Sequence, residues 1–319
     1  MPLPTTQIPA GRIRPLALTC VLLTAALLPA LDYGFGPGVE SMTARREIHR
    51  AILAGTARDP DRYRWLAAAI VEPPTRLLAP LMSYDAAFDR VSTVFYLGAI
   101  TAMLWSLFAL LRSWFSDEAA LVAALIAACT IRITMRQHDY APYSFLEPTF
   151  VAMALLAILH RRHALLGVLV AVASFNRETA VFLVLLHLVT SDGSRQAWAR
   201  TIAYGSIWAA IFLGVRAISG EGERYWSIER IFRTNMAQPQ LAAANLTMFF
   251  GVCWLLAALG WSRAPSFIRR AAIIMPFYLI TVAVWGIWWE VRLVMPLYPI
   301  LFALALSYLY DAREPVLAG

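Results

Sequence analysis

Ten times between residues 15 and 310 the sequence returns to an apolar run at or near the length needed to cross a lipid bilayer. The runs cover 15–31, 91–111, 119–135, 143–159, 164–176, 179–191, 201–217, 241–260, 271–288 and 293–310. A spanning helix takes about 20 predominantly apolar residues. In hydrocarbon such a segment must satisfy its own backbone polar groups, so each run is expected to be helical. The expected fold is therefore all-α: a polytopic transmembrane bundle of about ten spans, one domain over 1–319, with a long extracytoplasmic loop over 32–90. Composition agrees, since 60% of residues are hydrophobic and 15% charged, against about 45–50% and 25% in soluble domains.

All 27 basic residues are Arg. A GC-rich genome explains this without function; a functional reading is that the planar guanidinium fork suits phosphate better than an ammonium group does. The net charge of +7 does not indicate nucleic acid, because the Arg residues are scattered among apolar runs and form no basic stripe. Anionic head groups or a lipid-linked phosphate suit the scatter better. Cys20, Cys129 and Cys253 each lie inside an apolar run and are expected to pack in the core without a disulfide. No cofactor motif, Gly-rich phosphate loop, GxSxG elbow or HExxH occurs, and no metal site is expected. Arg12 and Arg14 before the first run resemble a signal peptide, but no clean small-x-small site follows, so an uncleaved first helix is expected.

One choice fixes the topology. A single helix from Ala164 to Thr190 would bury Arg177 and Glu178 near the bilayer centre, costing about 2.5–3.5 kcal/mol for the Arg alone. A hairpin with Asn176-Arg177-Glu178-Thr179 at its turn avoids most of that cost. With the N-terminus inside, cytoplasmic loops then hold eleven Arg and the short outer loops eight, a modest bias in the direction of the positive-inside rule. Only Asp117, Glu118, Asp192, Asp311 and Glu314 among the acids fall inside.

The long loop carries helical patterning. Ala44, Ile48, Ala51 and Ile52 share one face opposite Arg45, Arg46 and Arg50, with Gly55 placed to end the helix. A second stretch, Trp65 to Val71, is expected to stop at Pro73-Pro74. Both read as interfacial helices, serving as lipid anchors or as the wall of a surface site.

In this topology the polar clusters converge on the outer face: Asp32-Tyr33; Asp59 to Arg64; His138-Asp139-Tyr140 with Glu147; Asn176 to Thr179; and Glu290-Val291-Arg292. Each admits two readings. Asp32 marks the helix end or acts as general base toward a hydroxyl. Arg62 and Arg64 are solvated or hold phosphate by charge-assisted hydrogen bonds. His138 and Asp139 cap a helix or share the catalytic work. Arg177 with Glu178, and Glu290 with Arg292, are structural clasps or substrate-binding pairs; ionisable groups at membrane depth are functional candidates by default.

These residues resemble the GT-C superfamily of bacterial multi-spanning glycosyltransferases. The resemblance rests on an acid opening a long first outer loop (Asp32), Ile48 to Thr56 followed by Tyr63-Arg64-Trp65-Leu66, Ala173 to Ala180, and Glu290-Val291-Arg292 leading into Pro296-Leu297-Tyr298-Pro299. It implies a GT-C-like fold in the bacterial inner membrane, with its active face extracytoplasmic. It also implies transfer of a sugar, with inversion, from a polyprenyl-phosphate donor to a lipid, glycan or protein hydroxyl. Asp32 would be the base with His138 or Asp139 in reserve, and Arg177, Arg292 and Arg64 would neutralise the departing phosphate. The chain departs from the pattern in having Tyr33 where many relatives have a second acid. Two other readings stay open: a polysaccharide polymerase or ligase, and a non-enzymatic transporter or lipid flippase, which would show broken helices near the midplane.

Overall fold

The structure, a computed structural model, describes residues 15–36, 39–134, 144–224 and 226–313. Among these, regular structure is helical throughout, apart from one isolated bridge between Asp59 and Arg224. The α-helices are α1 (Pro15–Phe35), α2 (Val39–Leu53), α3 (Trp65–Leu78), α4 (Tyr84–Leu111), α5 (Asp117–Thr134), α6 (Leu146–Leu159), α7 (His163–Asn176), α8 (Val181–Thr190), α9 (Arg195–Ser219), α10 (Ile228–Ala237), α11 (Pro239–Phe250), α12 (Cys253–Gly260), α13 (Ser266–Ala271), α14 (Ile274–Trp285) and α15 (Tyr298–Leu309). Short 3₁₀ turns occupy Asp61–Tyr63, Glu178–Ala180 and Val291–Leu297.

Five stretches are long and apolar enough to cross a membrane: Pro15–Gly34, Tyr84–Leu111, Arg195–Ser219, Ser266–Trp285 and Val291–Leu309. A sixth is the pair α11–α12, bent by 69° at its break. The chain is thus a multi-pass helical membrane protein by length and composition. The last stretch is the hub: it is almost wholly buried, and α15 packs on α4, α5, α6, α12 and α13. Gly260 makes the closest of these approaches possible. A Cβ there would lie 2.0 Å from the Leu304 carbonyl oxygen, so only glycine lets α12 lie against α15 at this spacing, the small-residue contact typical of membrane helix pairs.

Contacts sort the helix ends into two groups. At one end the Arg313 amide donates to the Trp114 carbonyl (2.8 Å) and Arg270 to the Ser191 carbonyl (3.2 Å). At the other, the end of α1 meets α2, the Asp59 amide donates to Glu223 (2.9 Å), and α10 meets the turn after α14. α7 and α8 form the expected hairpin. The rings of His163 and His187, at the two arms' far ends, lie 6.1 Å apart, and both arms pack along α9. At 1.5 Å per residue the arms are only about 21 and 15 Å long, short of the ~30 Å hydrocarbon core. Trp208, midway along α9, donates to the Glu178 carbonyl (3.1 Å).

The first loop departs from expectation in three places. α3 continues through Pro73-Pro74 to Leu78. The next residue beyond them is tied in, Thr75 donating from its hydroxyl to Val71 (2.8 Å), and Arg76 holds Glu72 at 2.5 Å across the prolines. Arg45, assigned to an outward polar face, is buried, with its guanidinium 3.6 Å from the Tyr33 ring centre and donating to the Tyr33 carbonyl (2.6 Å). Arg46 and Arg50 likewise pair with Asp89 and Asp85 of α4. The polar face of α2 is therefore clasped to α1 and α4, while Ile52 joins Val71 and Phe88 in a small second core. Cys253 is buried as expected, but Cys20 and Cys129 face outward from α1 and α5.

Candidate functional site

The hairpin tip is where distant parts of the chain meet. Asn176 ends α7, Arg177 is extended (φ −164°, ψ 148°), and the 3₁₀ turn at Glu178 starts the return. Two ion pairs fix it, Arg177–Glu147 largely buried and Arg64–Glu178 with its carboxylate part-exposed. Arg177 donates to Glu147 Oε2 at 2.7 Å, and Arg64 donates from Nη2 to Glu178 Oε1 at 3.1 Å while its other nitrogen, Nη1, reaches Asp61 at 3.3 Å. Glu147 sits in the first turn of α6, where the helix dipole favours a carboxylate. It also accepts from the Thr179 hydroxyl. Tyr278 of α14 points at the same carboxylate (3.5 Å) while donating to the Leu293 carbonyl at 2.8 Å. Charges buried this far from water persist only when paired and hydrogen-bonded.

Beside the pair is a cavity of ≈20 Å³, lined by Glu147, Phe150, Arg177, Thr179, Phe182 and Tyr278 among others. That is room for about one water molecule.

Of the residues singled out in the sequence, Arg64, Arg177 and Glu178 come together here. Glu290 and Arg292 pair with each other, Arg292 donating from Nε and Nη2 at 3.2 and 2.9 Å; the same 3₁₀ turn carries Leu293, which accepts from Tyr278. Arg62 sits elsewhere, bridging the carbonyls of Ala57 (3.1 Å), Ser219 (3.2 Å) and Glu221 (2.7 Å), so it ties the first loop to the end of α9. Asp32 occupies the last turn of α1, part-buried, its carbonyl accepting from Gly36 (2.8 Å). It precedes Tyr33, which stacks on Tyr96 at 3.4 Å. His138 and Asp139 lie outside the described residues.

Several site residues carried no clear sequence signal. Glu147 was visible as an acid opening an apolar run, but nothing marked it as the partner of Arg177. Tyr278 is one aromatic among many. Asn235 of α10 accepts from the Trp288 amide and donates to the Gly286 carbonyl, both at 2.9 Å, and Asn245 of α11 donates to the Trp289 carbonyl at 3.1 Å. Together they fix the turn that leads into Glu290 and Arg292.

A second polar cluster holds the first loop. Glu72 accepts from Tyr84 (2.7 Å) and Arg76 (2.5 Å), with His49 Nε2 at 3.0 Å. Burial lowers the His49 pKa below its usual 6.5, outweighing the Glu72 carboxylate beside it. Burial pushes the Glu72 pKa up, but its three hydrogen-bond partners more than offset this and hold it below the usual carboxylate value. Among the described residues no cluster of three or more His, Cys, Asp or Glu gathers as metal ligands would.

No family model matches the chain, and neither the curated proteins nor the solved structures give a match.

Proposed function

We propose that this protein is an integral-membrane glycosyltransferase of the GT-C type, moving a sugar from a polyprenyl-phosphate donor to an acceptor hydroxyl at the extracytoplasmic face of a bacterial inner membrane. This reading counts α5 to α8 as spans beside the six longer ones, ten in all. The observation that carries it is the Arg64–Glu178 contact. It joins the first loop to the hairpin tip, so two guanidinium groups distant in sequence flank one turn that reaches to about the middle of α9. A polyprenyl phosphate leaving from a sugar needs such preorganised positive charge. Donor phosphate would compete with Glu147 and Glu178 for Arg177 and Arg64. Asp32 is the proposed base and Arg292 a further phosphate contact.

The test is incubation of the purified chain with a panel of polyprenyl-phosphate sugars and detection of the released lipid phosphate. Release is expected with at least one donor, and is abolished in a folded Asp32→Asn protein. Full activity in Asp32→Asn removes that residue from catalysis, and no release from any donor sinks the reading. One observation favours a transporter instead: helices are interrupted both at the α7–α8 tip and at the α11–α12 bend, as in carriers with broken helices. Movement of labelled lipid phosphate across proteoliposomes, without sugar release, would decide for it.

A further inference from the structure

We propose that α10 is a membrane-surface helix that lies in the interface, its apolar flank in the acyl boundary and its polar arc toward anionic head groups. The proposal does not depend on the transferase reading.

α10 begins with Ser227, whose hydroxyl accepts from the Arg230 amide (3.1 Å), a normal N-cap. At 100° per residue its side chains divide into three arcs. Ile231 and Asn235 face the protein and are buried. Glu229, Arg230 and Arg233 occupy the opposite side. Between these arcs Ile228, Phe232 and Met236 form a continuous apolar flank that the protein leaves 53%, 62% and 46% exposed. Three large apolar side chains in a row are not a water-facing pattern.

The position of the helix says what covers that flank. α10 is the next helix after α9, a span ending at Ser219, from which residues 220–227 separate it, and Asn235 grips the Gly286–Trp288 turn immediately after the span that ends at Trp285. α10 is therefore pinned beside the end of one lipid-facing span and reached by a short link from another, so lipid at those ends is the cover its flank would meet. Exposed Trp226 precedes α10 by two residues and exposed Trp285 adjoins the Gly286 that Asn235 holds, the kind of residue that membrane proteins concentrate in their interfacial aromatic belts. Arg230 sits 4.5 Å over the Trp226 ring, and Arg233 pairs with Glu229 at 2.6 Å. This leaves the polar arc with one excess positive charge and a preference for anionic lipid. Because Asn235 holds the turn before Glu290, the seating of α10 in lipid sets the placement of that turn.

The experiment uses the full chain with Cys20, Cys129 and Cys253 replaced by Ala, reconstituted in nanodiscs and carrying one environment-sensitive fluorophore at Phe232→Cys, Ile228→Cys or Glu229→Cys. These are surface positions, and elution as a single folded species is checked for each. Probes at 228 and 232 are expected to emit to the blue, to be quenched by doxyl groups near the top of the acyl chain and to escape iodide. The probe at 229 should show the reverse. Replacing zwitterionic lipid by anionic lipid should strengthen doxyl quenching at 232. Iodide quenching at 228 and 232 equal to that at 229 overturns the proposal. So does blue emission with neither quencher active, which would mean that protein, a second copy included, covers the flank.

Discussion

Arg177 and Glu147 show how unequal the two ways of changing a buried pair are. Truncating one partner leaves the other charge buried alone, which costs about 3–5 kcal/mol, whereas replacing both by apolar groups of similar size is often close to neutral. Arg177→Ala and Glu147→Ala are therefore each expected to lower thermal stability in detergent by that amount, and Arg177→Met with Glu147→Leu to recover most of it. If the double variant loses as much as the two single losses added, the groups are not paired in the membrane. The same variants separate binding from folding, because the stable double variant is still expected to lose donor-phosphate affinity under the proposed function. Asn235 offers a cleaner case at the edge of the site. Asn235→Leu leaves the buried Gly286 carbonyl and the Trp288 amide without their partner, about 1–3 kcal/mol for each group. Asn235→Asp keeps the acceptor for Trp288 and should fall between Leu and the parent in the same thermal measurement.

At the scale of elements, the apolar runs made most helices legible, because a stretch that must satisfy its own backbone in lipid has one form open to it. The hairpin was legible for the opposite reason: Arg177 and Glu178 within one continuous span would be too costly. What stayed hidden depended on neighbours. α10 is ten residues inside what read as an outer loop, and its pattern makes sense only once α14 is beside it. The Pro73-Pro74 stop failed because Glu72, gripped by Tyr84 and Arg76 with His49 close by, holds α3 on course. That grip is acid-labile. His49 has a lowered folded pKa, so once the pH falls below its ordinary 6.5 the unfolded loop binds more protons than the folded one and stability drops. Glu72, also lowered, adds a loss of the same sign below 4.5. Amide exchange in α2 and α3 should accelerate between pH 7.5 and 5 relative to α15, after correction for intrinsic rates. A flat profile would remove His49 from the clasp. Packing between spans is tested separately by Gly260→Leu, whose Cβ has no room against the Leu304 carbonyl. Overpacking of this kind costs about 1–3 kcal/mol, read as a lower unfolding temperature.

The whole molecule is organised by which ends of the helices meet, and this can be checked without reference to any activity. The Asp59–Glu223 and Arg62–Glu221 contacts place the first loop beside the end of α9. The His163–His187 and Arg270–Ser191 contacts place the open end of the hairpin at the other pole, with the start of α9. α9 is 25 residues long, about 37 Å at 1.5 Å per residue, enough to separate the two poles by a full bilayer. Thr56, Gln196 and Glu221 are all exposed. Single cysteines at these positions, in the chain whose own three cysteines are replaced, should therefore react with an impermeant maleimide in two classes. Thr56→Cys and Glu221→Cys should label together from one side of oriented vesicles, and Gln196→Cys only from the other. Under the proposed function the first pair lies on the extracytoplasmic side. Labelling of 56 and 196 from the same side would mean that α7 and α8 do not return as a hairpin, and the meeting of Arg64 with Glu178, on which the site is built, would go with it.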